Sequence, residues 1–91
     1  MDYATFRDDL LPVWARRHRL VKHGWDVQPF DLSVNVAQLS LLNDDGTLYL
    51  RDSLDIQPLD RDAVGAWLNG CLRKACDARL AADRRLRNPA P

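Results

Sequence analysis

The chain has 91 residues, with 13 basic and 13 acidic side chains, so its formal net charge is zero. A chain of this length buries one modest core and leaves no room for separate cofactor-binding and substrate-binding domains. Apolar residues make up 46% of the sequence and charged residues 29%. That balance is typical of a globular domain, and the neutral charge excludes a bulk field that draws the chain to nucleic acid or membrane.

The first predicted element is an amphipathic helix over residues 3–23. Its apolar side chains recur at steps of three and four residues, which is the spacing of one helix face. They are Tyr3, Phe6, Leu10, Val13, Trp14, Leu20 and Val21. Pro12 lies opposite this stripe and removes one backbone hydrogen bond, so we expect one kinked helix or, alternatively, two short helices that break near Pro12. Gly24 is the expected C-terminal stop.

Residues 25–57 form the predicted β region, because apolar and polar side chains alternate there with a period of two. The parity of this alternation changes between Val36 and Leu39. A strand changes faces in this way only at a bulge or a turn, which we therefore expect near residues 37–38.

The clearest turn signal is Asn-Asp-Asp-Gly at residues 43–46. An Asp-Gly pair between two alternating segments predicts a β-hairpin. The pairing places Leu48 and Leu50 on the same sheet face as Leu41. Tyr49 is then expected on the opposite and wetter face.

The last predicted element is a helix over residues 60–86, with Asp60 as its N-cap. Its apolar stripe consists of Val64, Trp67, Leu68, Cys71, Leu72, Ala75, Ala78 and Ala82. Residues 87–91 are expected to fray. The order α-β-β-β-α predicts an α+β fold for residues 1–91 as a single domain. In it a small antiparallel sheet carries a kinked N-terminal helix and a long C-terminal helix, on one face or on two.

The sequence shows no arrangement that indicates an enzyme, a metal site or a bound cofactor. His18 and His23 lie five residues apart rather than at the i,i+4 spacing of a helical metal pair, and the glycines are scattered singly. Cys71 and Cys76 lie about 140° apart around a helix, so we expect two reduced thiols. No signal peptide and no apolar run of roughly 18 residues is visible, and we expect a cytoplasmic protein without membrane contact.

Charge is distributed unevenly along the neutral chain. Residues 1–30 carry five basic and four acidic side chains, residues 31–62 carry two and seven, and residues 63–91 carry six and two. Three interpretations remain open. The charges meet within the fold or between copies, a protein partner reads one of the patches, or a phosphate backbone lies along the basic helices.

Of these three interpretations, we favour contact with a protein partner. The predicted partner-binding residues are Arg16, Arg17, Arg19 and Trp25 on one side and Asp44 and Asp45 at the hairpin tip. Arg17 falls within the apolar stripe, so its stem is expected to pack while its head reaches solvent or an Asp of the sheet. Alternatively, it is presented from an apolar contact face. Trp25 is the candidate for a half-exposed aromatic anchor.

The expected function is that of a small non-enzymatic protein-binding module that acts by surface contact: an adaptor, an immunity protein or an inhibitor. Arg exceeds Lys and Leu exceeds Ile, which indicates a GC-rich genome, and small size without a motif suggests a bacterial or phage anti-defence type. Nucleic-acid binding is the first alternative, through Arg73, Arg84, Arg85 and Arg87. A homodimeric structural or assembly protein is the second, through the small-residue face at Ala75, Ala78 and Ala82 of the C-terminal helix.

Overall fold

The computed structural model describes residues 1–87. Its elements, in chain order, are α1 (Tyr3–Thr5), a π-helical turn (Phe6–Leu10), α2 (Leu11–Arg17), β1 (Trp25–Ser33), β2 (Val36–Asn43), β3 (Leu48–Asp55) and α3 (Arg61–Arg87). This order confirms the α-β-β-β-α arrangement of an α+β fold. Of the tail that was expected to fray, Arg87 belongs to α3 and residues 88–91 lie outside the described part of the chain.

The N-terminal helical segment is continuous because a π-helical turn accommodates Pro12. Within an α-helix, Pro12 lacks the N–H that would bond Asp8 and its ring crowds that carbonyl. The N–H of Leu11 instead bonds the carbonyl of Phe6, five residues back. The wider turn shifts the helix phase by one residue, so Leu11 is buried while Leu10 is only half-buried. The segment is therefore one helix, and its irregularity is a π-helical turn.

Helix α2 ends well before residue 23, where the sequence predicts its end. Arg19 takes a left-handed backbone conformation with φ of 51°. The N–H of Arg19 bonds the carbonyl of Arg16 and the N–H of Leu20 bonds that of Ala15, both at 3.1 Å. These two bonds form a Schellman motif, in which glycine is the usual residue at the left-handed position. An arginine there costs about 1 kcal/mol.

The three strands form an antiparallel sheet with β2 in the centre. The first hairpin turns at residues 34–35, so the turn expected near residues 37–38 lies earlier in the chain. The β1–β2 register shifts between Asp31 and Ser33. The parity change in the sequence reflects this short connection and the irregular pairing beside it.

The second hairpin turns at residues 43–46, as predicted. The pairing of β2 with β3 shifts at Tyr49, because Leu50 pairs with Leu41 while Leu48 pairs with the next residue of β2. This bulge leaves Leu48 44% exposed and brings Tyr49 edge-on to Trp25, with ring centroids 5.9 Å apart. The expectation that Leu48 and Leu50 share a face, with Tyr49 opposite, is wrong for that reason.

Both helices cover the same face of the sheet. Ala37, Leu39 and Leu41 alternate along β2, and each is fully buried. They belong to one core cluster with side chains of both helical segments; the helical members are Phe6, Leu11, Trp14, Val64, Leu68, Cys71 and Ala75. Since alternate residues of a strand share a face, the helices pack together on one side.

The connection from β3 to α3 is held by the amino group of Met1. Its nitrogen lies 3.0 Å from the carbonyl oxygens of Ile56 and Gln57 and 2.9 Å from that of Leu59. An ammonium group has three donors, and here each has a carbonyl acceptor. These bonds fix the start of α3 relative to the N-terminal helix.

Helix α3 is capped as predicted, since the N–H of Ala63 bonds a carboxylate oxygen of Asp60 at 2.8 Å. Its 27 residues extend about 40 Å, against a longest dimension of 49 Å for the molecule. The last fully buried residue is Ala75, and residues 83–87 are all exposed, so the C-terminal tip of α3 projects from the body. Despite this length, no helix within residues 1–87 is apolar enough to cross a membrane.

Candidate binding groove between the helices

An open groove of about 480 Å³ runs between the N-terminal helical segment and the first part of α3. We call it the α2–α3 groove. It is lined by Leu10, Val13, Trp14, Arg17 and His18 on one side and by Arg61, Asp62, Gly65, Ala66 and Asn69 on the other. Its volume lies within the range of clefts that bind small molecules.

The wall of the groove is fixed by Trp14. The residue is 7% exposed, and its indole N–H donates to the Asn69 side-chain carbonyl at 2.9 Å. The ring of His18 lies against that of Trp14, with centroids 5.3 Å apart. The hydrogen bond joins residues 55 positions apart and sets the distance between the two helices at this point.

The floor of the groove opens at Gly65. A Cβ atom built on Gly65 would meet no other atom within 4 Å, so no close approach of backbone requires a glycine there. A glycine inside a helix costs roughly 1 kcal/mol relative to alanine. Gly65 therefore leaves free space in the groove that no neighbouring side chain fills.

The charged groups of the groove are two guanidinium groups and the carboxylate of Asp62. Arg61 forms an ion pair with Asp9. Arg17 is exposed and has no ion pair or side-chain hydrogen bond within residues 1–87. Arg17 shares the groove with Val13 and Trp14, so it lies on the same helix face as the apolar stripe, as the sequence predicts, and its side chain is exposed.

The structure separates the three arginines that were predicted to act together. Arg17 lines the α2–α3 groove, whereas Arg16 and Arg19 line a second, mainly aliphatic depression of about 260 Å³. Lys22 also lies on that depression. Arg16 and Arg17 project in different directions since successive helical residues are about 100° apart.

Trp25 does not form a surface anchor, because only 4% of it is exposed. The guanidinium of Arg79 lies 3.9 Å from the centre of its ring. Arg79 also donates to the carbonyl of His23 at 2.9 Å. The Trp25 ring, which the sequence predicts to be half-exposed, is thus covered by Arg79, a residue of α3 that lies far along the chain.

Asp44 and Asp45 are exposed at the hairpin tip. The Asp45 carboxylate accepts the N–H of Thr47 at 2.9 Å, and this hydrogen bond lowers the pKa of Asp45 below its ordinary value. The N–H of Asp44 bonds the carbonyl of Gly24 at 3.0 Å. The tip is therefore tied beside the loop over residues 18–24, and its acids stand next to a basic segment.

The alternative basic residues are exposed along α3. They are Arg73, Arg84, Arg85 and Arg87, and none forms an ion pair within the described part of the chain. Of the small-residue stripe, Ala75 is fully buried in the core of its own chain, while Ala78 and Ala82 are half-buried. Most of the contact surface of Ala75 is thus used within the fold.

The sequence did not point to the α3 side of the groove. Arg61, Gly65 and Asn69 are spaced four residues apart and so share one side of α3. Within a helical pattern, Gly65 by itself indicates only a cost to helix stability. The signal for a site was the position of Gly65 between Arg61 and Asn69 on one helix face. The opposite wall of the groove, however, lies about fifty residues earlier in the sequence.

A second cluster lies on the inner face of β3. The Asp52 carboxylate accepts the indole N–H of Trp67 at 3.0 Å and lies 3.8 Å from the Cys71 sulfur. Burial first, and the nearby carboxylate second, raise the pKa of the Cys71 thiol to about 12. The thiol is therefore protonated at neutral pH, which is the opposite of what a nucleophilic cysteine requires.

No protein-family model matches the chain, and no curated protein or solved structure matches it. Within residues 1–87, no three His, Cys or Asp side chains stand together as a metal-binding group. The function is therefore inferred from the shape and charge of the α2–α3 groove.

Proposed function

We propose that the chain is a non-enzymatic protein-recognition module whose α2–α3 groove takes a short acidic segment of a partner protein. The observation that carries the proposal is Arg17, an unpaired guanidinium at the edge of a groove whose floor is kept open by Gly65. An adaptor or an inhibitor acts by contacts of this kind.

The charged groups favour a carboxylate in the groove. A guanidinium group binds a carboxylate through two parallel hydrogen bonds, and Arg17 has all its donors free within residues 1–87. The Asn69 side chain uses its carbonyl oxygen for Trp14, which leaves its N–H groups to donate to a ligand. Arginine is also enriched among the residues that dominate binding energy at protein interfaces.

The apolar wall favours an aliphatic side chain next to that carboxylate. Leu10 and Val13 are half-buried and face the groove beside the ring of Trp14. The space above Gly65 accepts further carbon atoms without displacing any neighbour. A segment with an Asp or Glu close to a Leu, Ile or Val therefore matches both halves of the lining.

The test uses random decapeptides displayed on phage and selected on the 91-residue chain. Enriched peptides are then synthesised, and their affinity is measured by isothermal titration calorimetry. We expect an acidic residue near an aliphatic one. We also expect at least tenfold weaker binding to Gly65→Leu, which fills the groove, and to Arg17→Glu, which reverses its charge.

Two matched controls lie on α3 outside the groove. Gly70→Leu introduces the same side chain at another open helical glycine, and Lys74→Glu makes the same charge reversal at another exposed cation. Both should retain full affinity. Selected peptides that bind Gly65→Leu as tightly as the natural chain, or a selection that enriches none, would contradict the proposal.

A further inference from the structure

Arg19 has a backbone conformation that disfavours any residue with a side chain. Its φ of 51° is left-handed, and the Schellman motif at the end of α2 accepts glycine there without strain. Non-glycine residues held in strained backbone conformations cluster at functional sites. The Schellman hydrogen bonds hold the backbone of Arg19, but its guanidinium has no ion pair or hydrogen bond within residues 1–87, so no polar contact of the side chain accounts for an arginine there.

Two further cations and an aliphatic depression surround Arg19. Arg16 and Lys22 are exposed and are likewise without an ion pair in the described chain. The depression that they border is the smaller of the two described above, about 260 Å³ in volume, and no acidic residue lines it. Val21 beside them is 88% exposed.

The projecting tip of α3 extends this basic surface. The hydrogen bond from Arg79 to the carbonyl of His23 ties α3 to the loop over residues 18–24. From Arg79 to Arg87 the helix continues for about 12 Å. Along that length Arg84, Arg85 and Arg87 are exposed and lack ion pairs within residues 1–87.

We propose that this end of the molecule binds the phosphate backbone of duplex nucleic acid. It is a surface separate from the α2–α3 groove, so the inference goes beyond the proposed function. We call it the basic end, and its residues are Arg16, Arg19, Lys22, Arg84, Arg85 and Arg87. The cations lie on a projecting helix, at the end of α2 and on the loop that follows α2, which suits a groove with phosphates along its edges.

The surroundings favour a duplex over a lipid surface. Interfacial binding to lipid needs a continuous apolar face. The large apolar side chains that are most exposed at this end are Val21 and Leu86, and each is next to cations in the chain: Lys22 follows Val21, and Arg85 and Arg87 flank Leu86. The acids of the hairpin tip, Asp44 and Asp45, lie next to Gly24 and would repel phosphate. They set the boundary of the basic end on the side of the sheet.

The test measures fluorescence anisotropy of a labelled 20-base-pair duplex of arbitrary sequence, titrated with the full chain at 50 to 150 mM NaCl. Each phosphate contact contributes about −0.9 to the slope of log affinity against log salt. With about four contacts, affinity should fall about 50-fold over this range. Vesicles of phosphatidylserine and phosphatidylcholine serve as the lipid comparison.

Arg19→Gly separates binding from folding. The substitution removes a cation and relieves the left-handed residue, so we expect thermal unfolding several degrees higher while the duplex affinity falls three- to tenfold and the salt slope loses about one. A double variant, Arg84→Ala with Arg87→Ala, should reduce the slope by about two. Arg7→Ala removes a cation near the opposite end of α3 and should leave the affinity unchanged.

Three results would overturn the inference. One is duplex binding that is undetectable at 50 mM NaCl. Another is unchanged duplex affinity in both Arg19→Gly and the Arg84/Arg87 double variant. The third is tighter binding to phosphatidylserine vesicles than to the duplex, which would assign the basic end to a lipid surface.

Discussion

At the scale of single residues, the Asp52 carboxylate contacts two side chains of α3, Trp67 and Cys71. It is half-buried and accepts hydrogen bonds from an indole, from the backbone of Ser53 and, weakly, from a thiol. A carboxylate in such a position needs these donors because its contact with water is reduced. The pairing also explains why Trp67 orients its N–H toward the sheet.

Replacing Trp67 by phenylalanine should lower the free energy of unfolding by about 1–3 kcal/mol, because Asp52 loses its indole donor. The phenylalanine ring keeps the contact with Phe6, whose centroid lies 6.1 Å from that of Trp67. Urea denaturation measures the change. Asp52→Asn, which retains an acceptor oxygen without the charge, should reduce the cost of Trp67→Phe; equal costs in both backgrounds would argue against this pair.

The Cys71 thiol makes stability depend on alkaline pH. Its pKa rises from an ordinary value of 9.0 to about 12 on folding, so the unfolded chain loses this proton at lower pH than the folded chain does. The stabilisation is complete below pH 9 and is lost as pH rises toward 12. Between these limits it should fall by roughly 1.4 kcal/mol per pH unit at most.

Denaturation of the natural chain and of Cys71→Ala at pH 8 and pH 10.5 provides the measurement. Other groups titrate in both proteins, and the difference between the two isolates the thiol. Iodoacetamide at pH 8 should spare Cys71 in the folded state and modify it after unfolding. Rapid alkylation of Cys71 in the folded chain would contradict its burial.

At the scale of elements, α3 contains two glycines that its packing does not require. A Cβ atom on Gly65 or on Gly70 meets nothing within 4 Å. Gly24 differs, since its φ of 80° is left-handed and allows the loop after α2 to enter β1. Glycine therefore leaves open space on the surface of α3, whereas in the loop it allows a positive φ.

Gly65→Ala and Gly70→Ala should each raise the free energy of unfolding by about 0.5–1 kcal/mol through helix propensity. Gly24→Ala should lower it by about 1 kcal/mol or more, because alanine is strained at positive φ. All three are measured by urea denaturation. A loss of stability in either helical variant would show that the space beside that glycine is occupied.

At the scale of the whole molecule, Arg79 joins three parts of the chain. Its guanidinium stacks on Trp25 at 3.9 Å, donates to the carbonyl of His23 at 2.9 Å and reaches the Asn43 side chain at 3.5 Å. These residues belong to the loop after α2, the start of β1 and the end of β2. One side chain of α3 thus holds the second hairpin and the basic loop against the helix.

Arg79→Ala should cost about 1–2 kcal/mol of stability, since it removes a stacked cation and a charged hydrogen bond. It should also speed amide exchange of Trp25, whose N–H bonds the carbonyl of Leu20 at 2.8 Å in this loop. Hydrogen exchange followed by NMR resolves that amide. Arg79→Lys should recover only part of the loss because lysine lacks the planar group; full recovery would assign the effect to charge alone.

The sequence by itself determined the features that depend on neighbouring residues. The Asp60 cap, the turn at residues 43–46 and the stripe of α3 through Val64, Leu68 and Cys71 were all predicted. Each follows from local hydrogen bonding or from a short period along one element. The order of helices and strands follows from the same signals.

Only the tertiary structure decided how these elements meet. The left-handed Arg19 and the π-helical turn before Pro12 moved the end and the phase of the first helix, and the bulge at Tyr49 exchanged two side chains between sheet faces. The walls of the α2–α3 groove come from segments about fifty residues apart in the sequence. The periodicity within one element does not show which distant segment packs against it. The groove and the burial of Trp25 under Arg79 therefore depend on the packed fold.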